Sequence, residues 1–377
     1  IGNYPSNESA TAADIDGDGW PDIIVAHGHQ RADEVSGVLI LWHPGNAKQA
    51  RNKDAWIASD DIHGSTELGN YLYVRTGDIN GDGALDVISG GRHAGNTGAK
   101  VSPQIVGVVW HEAPANKADR RDMTKWKTHD IDGDIISGHG FSLGDLDGDG
   151  DLDVALANCD WGTEKTPDTG KYVIYYENPG HNSTSLREDW PRHNLYENKD
   201  FYTKPFVAIG DLNGDGKNDI ISQLNDRVLY FQNKGGVPAK FERIDIMKPK
   251  EAVHRSRPLV FEDVNGDSKM DSVIGIIHHN GSLKTDVPAL MWIENTGETP
   301  RPDNWDTHVI KWGDGYPGRG VFHGEKWDIL TFAEVDGDGD LDLVANCEEY
   351  LKINVEWFEN PLDPGGIGVR VPGKGQR

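Results

Sequence analysis

Apolar residues along this chain come in short runs, and none is long enough to suggest a helix-dominated fold. Six of them read Ile23-Ile24-Val25, Val87-Ile88, Val154-Ala155-Leu156, Ile220-Ile221, Val273-Ile274 and Leu343-Val344. Runs this short, bounded by Gly, Asp and Asn, predict β-strands. A second set follows at a distance: Leu41-Trp42-His43-Pro44, Val109-Trp110-His111-Glu112, Tyr175-Tyr176-Glu177-Asn178-Pro179, Tyr230-Phe231-Gln232-Asn233, Met291-Trp292-Ile293-Glu294-Asn295 and Glu356-Trp357-Phe358-Glu359-Asn360-Pro361. These read as strands that end in a turn. A third element, Trp126-Lys-Thr-His129, Trp190-Pro-Arg-His193 and Trp305-Asp-Thr-His308, reads as an outer strand in three of the units.

The polar stretch ahead of each first run is itself a repeat: acid, x, Asp/Asn, Gly, Asp, x, x, x, Asp. The copies start at Asp14, Asp78, Asp145, Asp211, Asp263 and Glu334, at intervals of 64, 67, 66, 52 and 71 residues. Oxygens at positions 1, 3, 5 and 9, with a carbonyl at 7, can wrap one hard cation. The last ligand falls at position 9 and no helical pattern flanks it, so the motif is not an EF-hand. The expected calcium ligands are Asp14, Asp16, Asp18 and Asp22; Asp78, Asn80, Asp82 and Asp86; Asp145, Asp147, Asp149 and Asp153; Asp211, Asn213, Asp215 and Asp219; Asp263, Asn265, Asp267 and Asp271; and Glu334, Asp336, Asp338 and Asp342. The loops starting at Asp211 and Asp263 carry Asn213 and Asn265 at position 3, so they hold less charge and are expected to bind more weakly.

Each unit supplies about four strands and cannot bury its faces alone. Units of that size arranged radially make a β-propeller. The fold expected is all-β: a single propeller domain over residues 1–377, six four-stranded antiparallel blades with calcium loops, seven blades being the alternative. No interval between loops has room for an unmarked blade. The 13 residues before Asp14 and the 16 after Pro361 are expected to complete one shared blade.

Composition narrows the function. The chain has 377 residues and a formal charge of −25, which repels nucleic acid. No run of 18 apolar residues exists to span a membrane. Loops of this kind fill at extracellular calcium levels, so a secreted, extracellular or periplasmic monomer is expected. Cys159 and Cys347 occupy the same repeat position, in Ala-Asn-Cys. On opposite blades they are too far apart to bond, and two separate thiols are expected.

The acidic repeats resemble the FG-GAP or VCBS repeats of integrin-type propellers, over nearly the whole chain. The pairing of Trp-x-Glu-Asn-Pro with Trp-x-x-His resembles the propeller domain of aldos-2-ulose dehydratases more closely. Calcium-binding propeller polysaccharide lyases, including some rhamnogalacturonan lyases, look similar in their loops. In such propellers the calcium loop joins the innermost strand to the second. The resemblance therefore implies that binding loops lie on the opposite face: those joining strands two and three, and those leading into each first strand.

Those loops hold most of the 15 His residues. A β-elimination at a uronate needs a cation for the carboxylate, a base for the C5 proton and an acid for the leaving oxygen. His139, His93 and Tyr202 are the candidate acid/base residues. Arg92, Arg75 and Arg257 are the candidate anion holders, with His27, His29, Trp161, His279, His323 and Arg319 as further substrate contacts. His27-Gly-His29 is also a candidate transition-metal pair, with His93 or His139 as third ligand. His129, His193 and His308 repeat in the outer strand and read as structural, as do Trp42, Trp110, Trp292, Trp357 and His111. The reading is a carbohydrate-active lyase or dehydratase acting on an acidic polysaccharide or oligosaccharide. The alternative is a non-catalytic, calcium-dependent propeller that binds glycans or proteins. A hydrolase, with acids such as Asp160, Glu348 and Glu349, ranks third.

Overall fold

The computed structural model describes residues 9–27, 36–68, 71–91, 107–132, 138, 140–157, 172–197, 206–224, 226–247, 255–277, 288–297, 304–312, 327–336, 339–347 and 355–360. The chain divides into two compact units, residues 1–205 with 236–238, and residues 206–235 with 239–377.

The fold is an all-β, six-blade propeller whose blades are antiparallel sheets in simple up-and-down order. In the first unit, the first blade is β1 (Ser9–Ala13), β2 (Asp22–His27), β3 (Gly37–Trp42) and β4 (Ile57–Ala58). The second is β5 (Tyr71–Gly77), β6 (Asp86–Gly91), β7 (Val108–Glu112) and β8 (Lys127–Asp132). The third is β9 (Ser142–Gly144), β10 (Asp153–Ala157), β11 (Tyr172–Tyr176) and β12 (Arg192–Glu197). In the second unit, the fourth blade is β13 (Val207–Gly210), β14 (Asp219–Gln223), β15 (Arg227–Asn233) and β16 (Phe241–Met247). The fifth is β17 (Arg255–Glu262), β18 (Asp271–Ile277), β19 (Pro288–Asn295) and β20 (Trp305–Trp312). The sixth has three described strands, β21 (Trp327–Ala333), β22 (Asp342–Cys347) and β23 (Val355–Phe358). First strands lie beside first strands: β1 on β5 and β5 on β9 in one unit, β13 on β17 and β17 on β21 in the other.

All six acidic stretches fall between the first and second strands of a blade, and each short apolar run lies in the second strand. These second strands are buried, as in Ile24, Val87, Val154, Ile220 and Val273. Burying one such side chain is worth about 1.5–3 kcal/mol. In the first unit one core joins Ile24, Ile40 and Trp42 of the first blade to Val87, Val109 and Trp126 of the second.

Residues 9–13 form the first strand of the first blade and pair with β2. Residues 1–8 and 361–377, on which the expected shared blade turns, lie outside the described residues. One expectation needs correcting. Trp42 does not stand where Trp110 stands. The turn residue clamped behind the third strand is His43 in the first blade and Ala113 in the second. Trp42 therefore corresponds to Glu112, and Ile40 to Trp110. The Trp position is buried at Trp110 but 45% exposed at Trp357, where no fourth strand lies against it among the described residues.

The outer-strand histidines do structural work. His129 packs on Trp110, His193 on Tyr175 and His308 on Trp292, with ring centroids 4.4–4.8 Å apart. Each also places Nε2 2.6–2.9 Å from the glutamate two residues after that ring's residue, at or just past the end of the third strand: Glu112, Glu177 and Glu294. His111 is wholly buried, and burial pushes its imidazole down to about 3, so it is neutral. Thr128 donates to the His63 carbonyl, so it accepts from His111 Nδ1, and Nε2 accepts from Ser89.

Candidate functional site

Each acid loop is a tight coil of backbone N–H groups around carboxylates. In the first, Asp14 accepts from Gly19 N, Asp16 from Asp18 N and Asp18 from Trp20 N, at 2.9–3.0 Å. The coil needs left-handed residues at positions 4 and 6. Gly17 and Gly19 supply them in the first loop, with φ of 72° and 94°. In the fifth loop position 6 is Ser268, at φ 67°.

Position 9 has a second task. Asp22, Asp86, Asp153, Asp219, Asp271 and Asp342 are all buried. One carboxylate oxygen of each accepts from the backbone N–H at loop position 2 (Ile15, Ile79, Leu146, Leu212, Val264 and Val335), at 2.8–3.2 Å. The other accepts from the residue that follows or closes the third strand (His43, Ala113, Asn178, Asn233, Asn295 and Asn360), at 2.7–2.9 Å. Burial raises Asp22, Asp219 and Asp271 to about 6, Asp153 to about 7 and Asp86 to about 8. Asp147 also rises to about 6, through burial and then the charge of Asp149.

Three loops bring carboxylate oxygens within 4.8 Å of one another: Asp14, Asp16 and Asp18; Asp145, Asp147 and Asp153; and Glu334, Asp336 and Asp342. Hard oxygen donors crowded at that spacing fit a divalent cation of the calcium type. A clamped carboxylate such as Asp153 keeps lone pairs for such an ion, since its two oxygens offer about four acceptor positions. Asn80 gives the second loop the same substitution at position 3 that Asn213 and Asn265 give the fourth and fifth. The first loop also meets cations of the protein itself. Arg121, from the connection between β7 and β8, donates through Nε to Asp16 at 2.6 Å, and Lys117 donates to the Gly17 carbonyl. Asp338 lies outside the described residues.

His27, at the opposite end of the first blade, and Arg75, midway along β5 and opposite Ile88, are described. His27 ends β2, is buried, and places Nε2 2.7 Å from Asp61 Oδ1. A Cβ on Gly37 would come within 2.6 Å of that carboxylate, so glycine is what lets Asp61 reach the imidazole. Sequence reading missed Asp61, which is 34 positions from its partner. Arg75 lays its guanidinium 4.4 Å from the Tyr73 ring centroid and donates to the Val74 carbonyl. No carboxylate pairs with it among the described residues. Tyr73 meets Phe141 edge-on, 6.0 Å between centroids.

Phe141 belongs to the segment that leads into the third blade, and that segment is seated against the end of the second. Gly138 N donates to the Gly91 carbonyl at 2.7 Å, and Gly91 N to the Gly107 carbonyl at 3.3 Å. A Cβ on Gly90 would lie 2.1 Å from the Gly138 oxygen, and one on Gly138 would lie 2.3 Å from the Gly107 oxygen. Three backbones thus touch where no side chain fits. Gly91 is followed in the chain by Arg92 and His93, and Gly138 by His139. Arg257 lies on β17. His139, His93, Tyr202, Arg92, His29, Trp161, His279, His323 and Arg319 lie outside the described residues, as do Cys159 and the acids Asp160, Glu348 and Glu349.

Residues 14–89 and 145–222 match the FG-GAP-like repeat family. The chain carries FG-GAP-like repeats on a six-blade propeller. No curated protein sequence matches it. Among solved structures it is similar to an Agrocybe aegerita lectin described as recognising non-reducing terminal N-acetylglucosamine, at 16% identity over 94% of this chain and 80% of that one, with a TM-score of 0.48. A Bacillus licheniformis rhamnogalacturonan lyase is similar at 15% identity over 74% of this chain, which spans 55% of the lyase, with a TM-score of 0.41. The rhamnogalacturonan lyase YesW gives 15% identity over 91% and 73% of the two chains, with a TM-score of 0.38.

Proposed function

We propose that this propeller is an extracellular, calcium-loaded protein that acts on an acidic polysaccharide or oligosaccharide, as a lyase or dehydratase, at the blade ends opposite the acid loops. The observation that carries this reading is the bond from Gly138 N to the Gly91 carbonyl. It joins the two chain segments that continue into His139 and into Arg92-His93. Loops meeting on a rigid sheet end are where fold families place chemistry. Arg75, one blade strand away and without a carboxylate partner among the described residues, supplies positive charge for a uronate. An imidazole near neutral pH suits removal of a C5 proton and return of a proton to the leaving oxygen. Tyr202 is the second acid/base candidate, and Arg92 and Arg257 are the further anion holders. The calcium ions belong to the scaffold in this reading and take no part in the chemistry.

The test is a screen of anionic polysaccharides for the new ultraviolet absorbance of an unsaturated uronate. With a substrate in hand, His93→Ala and His139→Ala should each lower turnover about 100-fold or more, the usual contribution of a general acid or base. Melting temperature should stay unchanged. Full activity in both variants places the chemistry elsewhere. Tight glycan binding with no product formed favours the non-catalytic propeller.

A further inference from the structure

Three basic side chains of the connection between β7 and β8 reach back to the first acid loop, in the preceding blade. Arg120 Nη1 donates to the Ile15 carbonyl at 3.3 Å, Arg121 Nε to Asp16 Oδ2 at 2.6 Å, and Lys117 Nζ to the Gly17 carbonyl. They meet loop positions 2, 3 and 4 in turn. Only Arg121 touches expected ligands. Its Nη2 lies 2.5 Å from Asp16 Oδ2 and 3.8 Å from Asp18 Oδ2. The Asp16 side chain is only 7% exposed, so water screens this pair from one side alone. The guanidinium also sits 5.0 Å from the Trp42 ring centroid, an aromatic face on which it can rest when it leaves the carboxylate.

The third loop has the same three carboxylates at positions 1, 3 and 5 but different neighbours. Asp147 and Asp149 accept from the backbone N–H groups of Asp149 and Asp151, at 3.2 and 2.9 Å. No Lys or Arg pairs with either among the described residues. His181, from the turn behind β11, lies 2.7 Å from Asp151, at position 7, where the motif offers its backbone carbonyl rather than its side chain. In both loops a buried carboxylate oxygen, Asp14 Oδ1 in the first and Asp147 Oδ2 in the third, takes no hydrogen bond among the described residues. Each loop therefore keeps an oxygen for an ion, but only the first already holds a cation of the protein on a ligand.

With the acid loops read as cation sites, we propose that Arg121 is a resident competitor for the first of them. It balances Asp16 while no ion is bound, and it shifts off that carboxylate toward Trp42 as a divalent cation takes Asp16. A guanidinium and a metal ion on one carboxylate repel each other, so both do not stay. The first loop therefore binds more weakly than its three carboxylates imply, and the third fills ahead of it. Filling the first loop also removes one contact between the first two blades. Arg120 and Lys117 hold carbonyls that are not expected ligands, and they keep their places.

Trp20 gives a readout confined to this loop. It stands at position 7, which holds Ala84, Asp151, Lys217, Lys269 and Asp340 in the other five. The full chain, stripped with chelator, is titrated with terbium(III) while tryptophan is excited and terbium emission is read. The part of the emission that Trp20→Leu abolishes belongs to the first loop. In Arg121→Gln that part should reach half-saturation at about fivefold lower terbium, the size of one partly exposed ion pair. Arg120→Gln should move it less. Unchanged or weaker binding in Arg121→Gln overturns the proposal, as does equal tightening in Arg120→Gln. A parent chain with no Trp20-dependent emission removes the cation site itself, and the proposal with it. A crystal structure grown in calcium needs no variant. Arg121 should stand clear of Asp16, and an ion on Asp16 with the 2.6 Å contact intact overturns the proposal.

Discussion

Asn178, in the turn behind β11, donates its side-chain amide to the backbone carbonyl of Ile79, inside the acid loop of the preceding blade, at 3.1 Å. The same bond recurs in the second unit, from Asn360 to Val264 at 2.9 Å. Where the turn residue is Ala113, an arginine seven positions on takes over: Arg120 Nη1 reaches the Ile15 carbonyl at 3.3 Å. One small amide or one long guanidinium therefore serves the same carbonyl, and this bond fastens one blade to the next.

Removing the amide should show in stability. Asn178 is buried, and Asn178→Ala leaves the Ile79 and Leu152 carbonyls without this donor. A loss of about 1–3 kcal/mol is expected by denaturant titration, the cost of stranding buried polar groups. Arg120→Ala, at a more exposed site, should cost less. Equal and negligible losses in both would show that the bond contributes nothing.

Ser268 offers the opposite experiment. Its φ of 67° is the conformation that Gly216, Gly83 and Gly150 adopt in sister loops. A left-handed residue with a Cβ costs about 1–2 kcal/mol. Glycine relieves that but adds freedom to the unfolded chain. Ser268→Gly should therefore stabilise by about 0.5–1 kcal/mol. A drop in the denaturation midpoint would mean that the hydroxyl does something the φ angle hides.

Cation removal and pH are linked through the buried aspartates. Without metal, Asp86 sits near 8 and Asp153 near 7, both far above the unfolded value. Their folded forms bind protons more tightly than the unfolded chain. Their contribution is fully present below the ordinary carboxyl range and is lost as pH rises through 7 to 8. Two neighbours act the other way. His111, held near 3, contributes above its unfolded value of 6.5 and loses this as pH falls toward 3. Glu112 falls to about 2 because hydrogen bonds from His129 and Arg187 outweigh its burial, so its contribution fades between 4.5 and 2. The chelated protein should melt at a lower temperature at pH 8.5 than at pH 6.5, and Asp86→Asn should flatten that slope. A chelated melting curve indifferent to pH between those values contradicts the assignment.

Calcium should reverse the loss, because a ligand that binds only the folded chain stabilises it by mass action. The loops with carboxylates at positions 1, 3 and 5, such as Asp145, Asp147 and Asp149, should fill first. Asp147→Asn should weaken calorimetric binding, and Asn213→Asp should strengthen it. If Asp147→Asn and Asn213→Asp titrate like the parent, position 3 is not a ligand.

The fold was legible because each blade advertises itself within nine residues. Gly, Asp and a following Ile or Val sit so close in sequence that local spacing alone fixes the turn and the strand. Legibility fails where partners are remote. Residue type pairs Trp42 with Trp110, whereas Asp22 and Asp86 set the true register through His43 and Ala113. Asp61 behind His27, Arg120 on Ile15 and His181 on Gly81 come from chain segments 34 to 105 positions away or from the next blade. No local pattern announces such pairs. The acid/base candidates rest on residue type and loop position, and only Gly91, ahead of Arg92-His93, and Gly138, ahead of His139, tie two of them to a described contact.

The carboxylate clamp sits at one end of every blade, so the register of a blade does not depend on the length of the loop at its other end. The register of the second and third strands is locked where Asp219 grips Leu212 and Asn233, before the chain reaches the far loop. That far connection is three residues long (224–226) between β14 and β15 and sixteen (92–107) between β6 and β7, yet both sheets form. Such a blade accommodates connections of very different length at that end. A family of these chains can therefore diversify what it recognises while its architecture stands still.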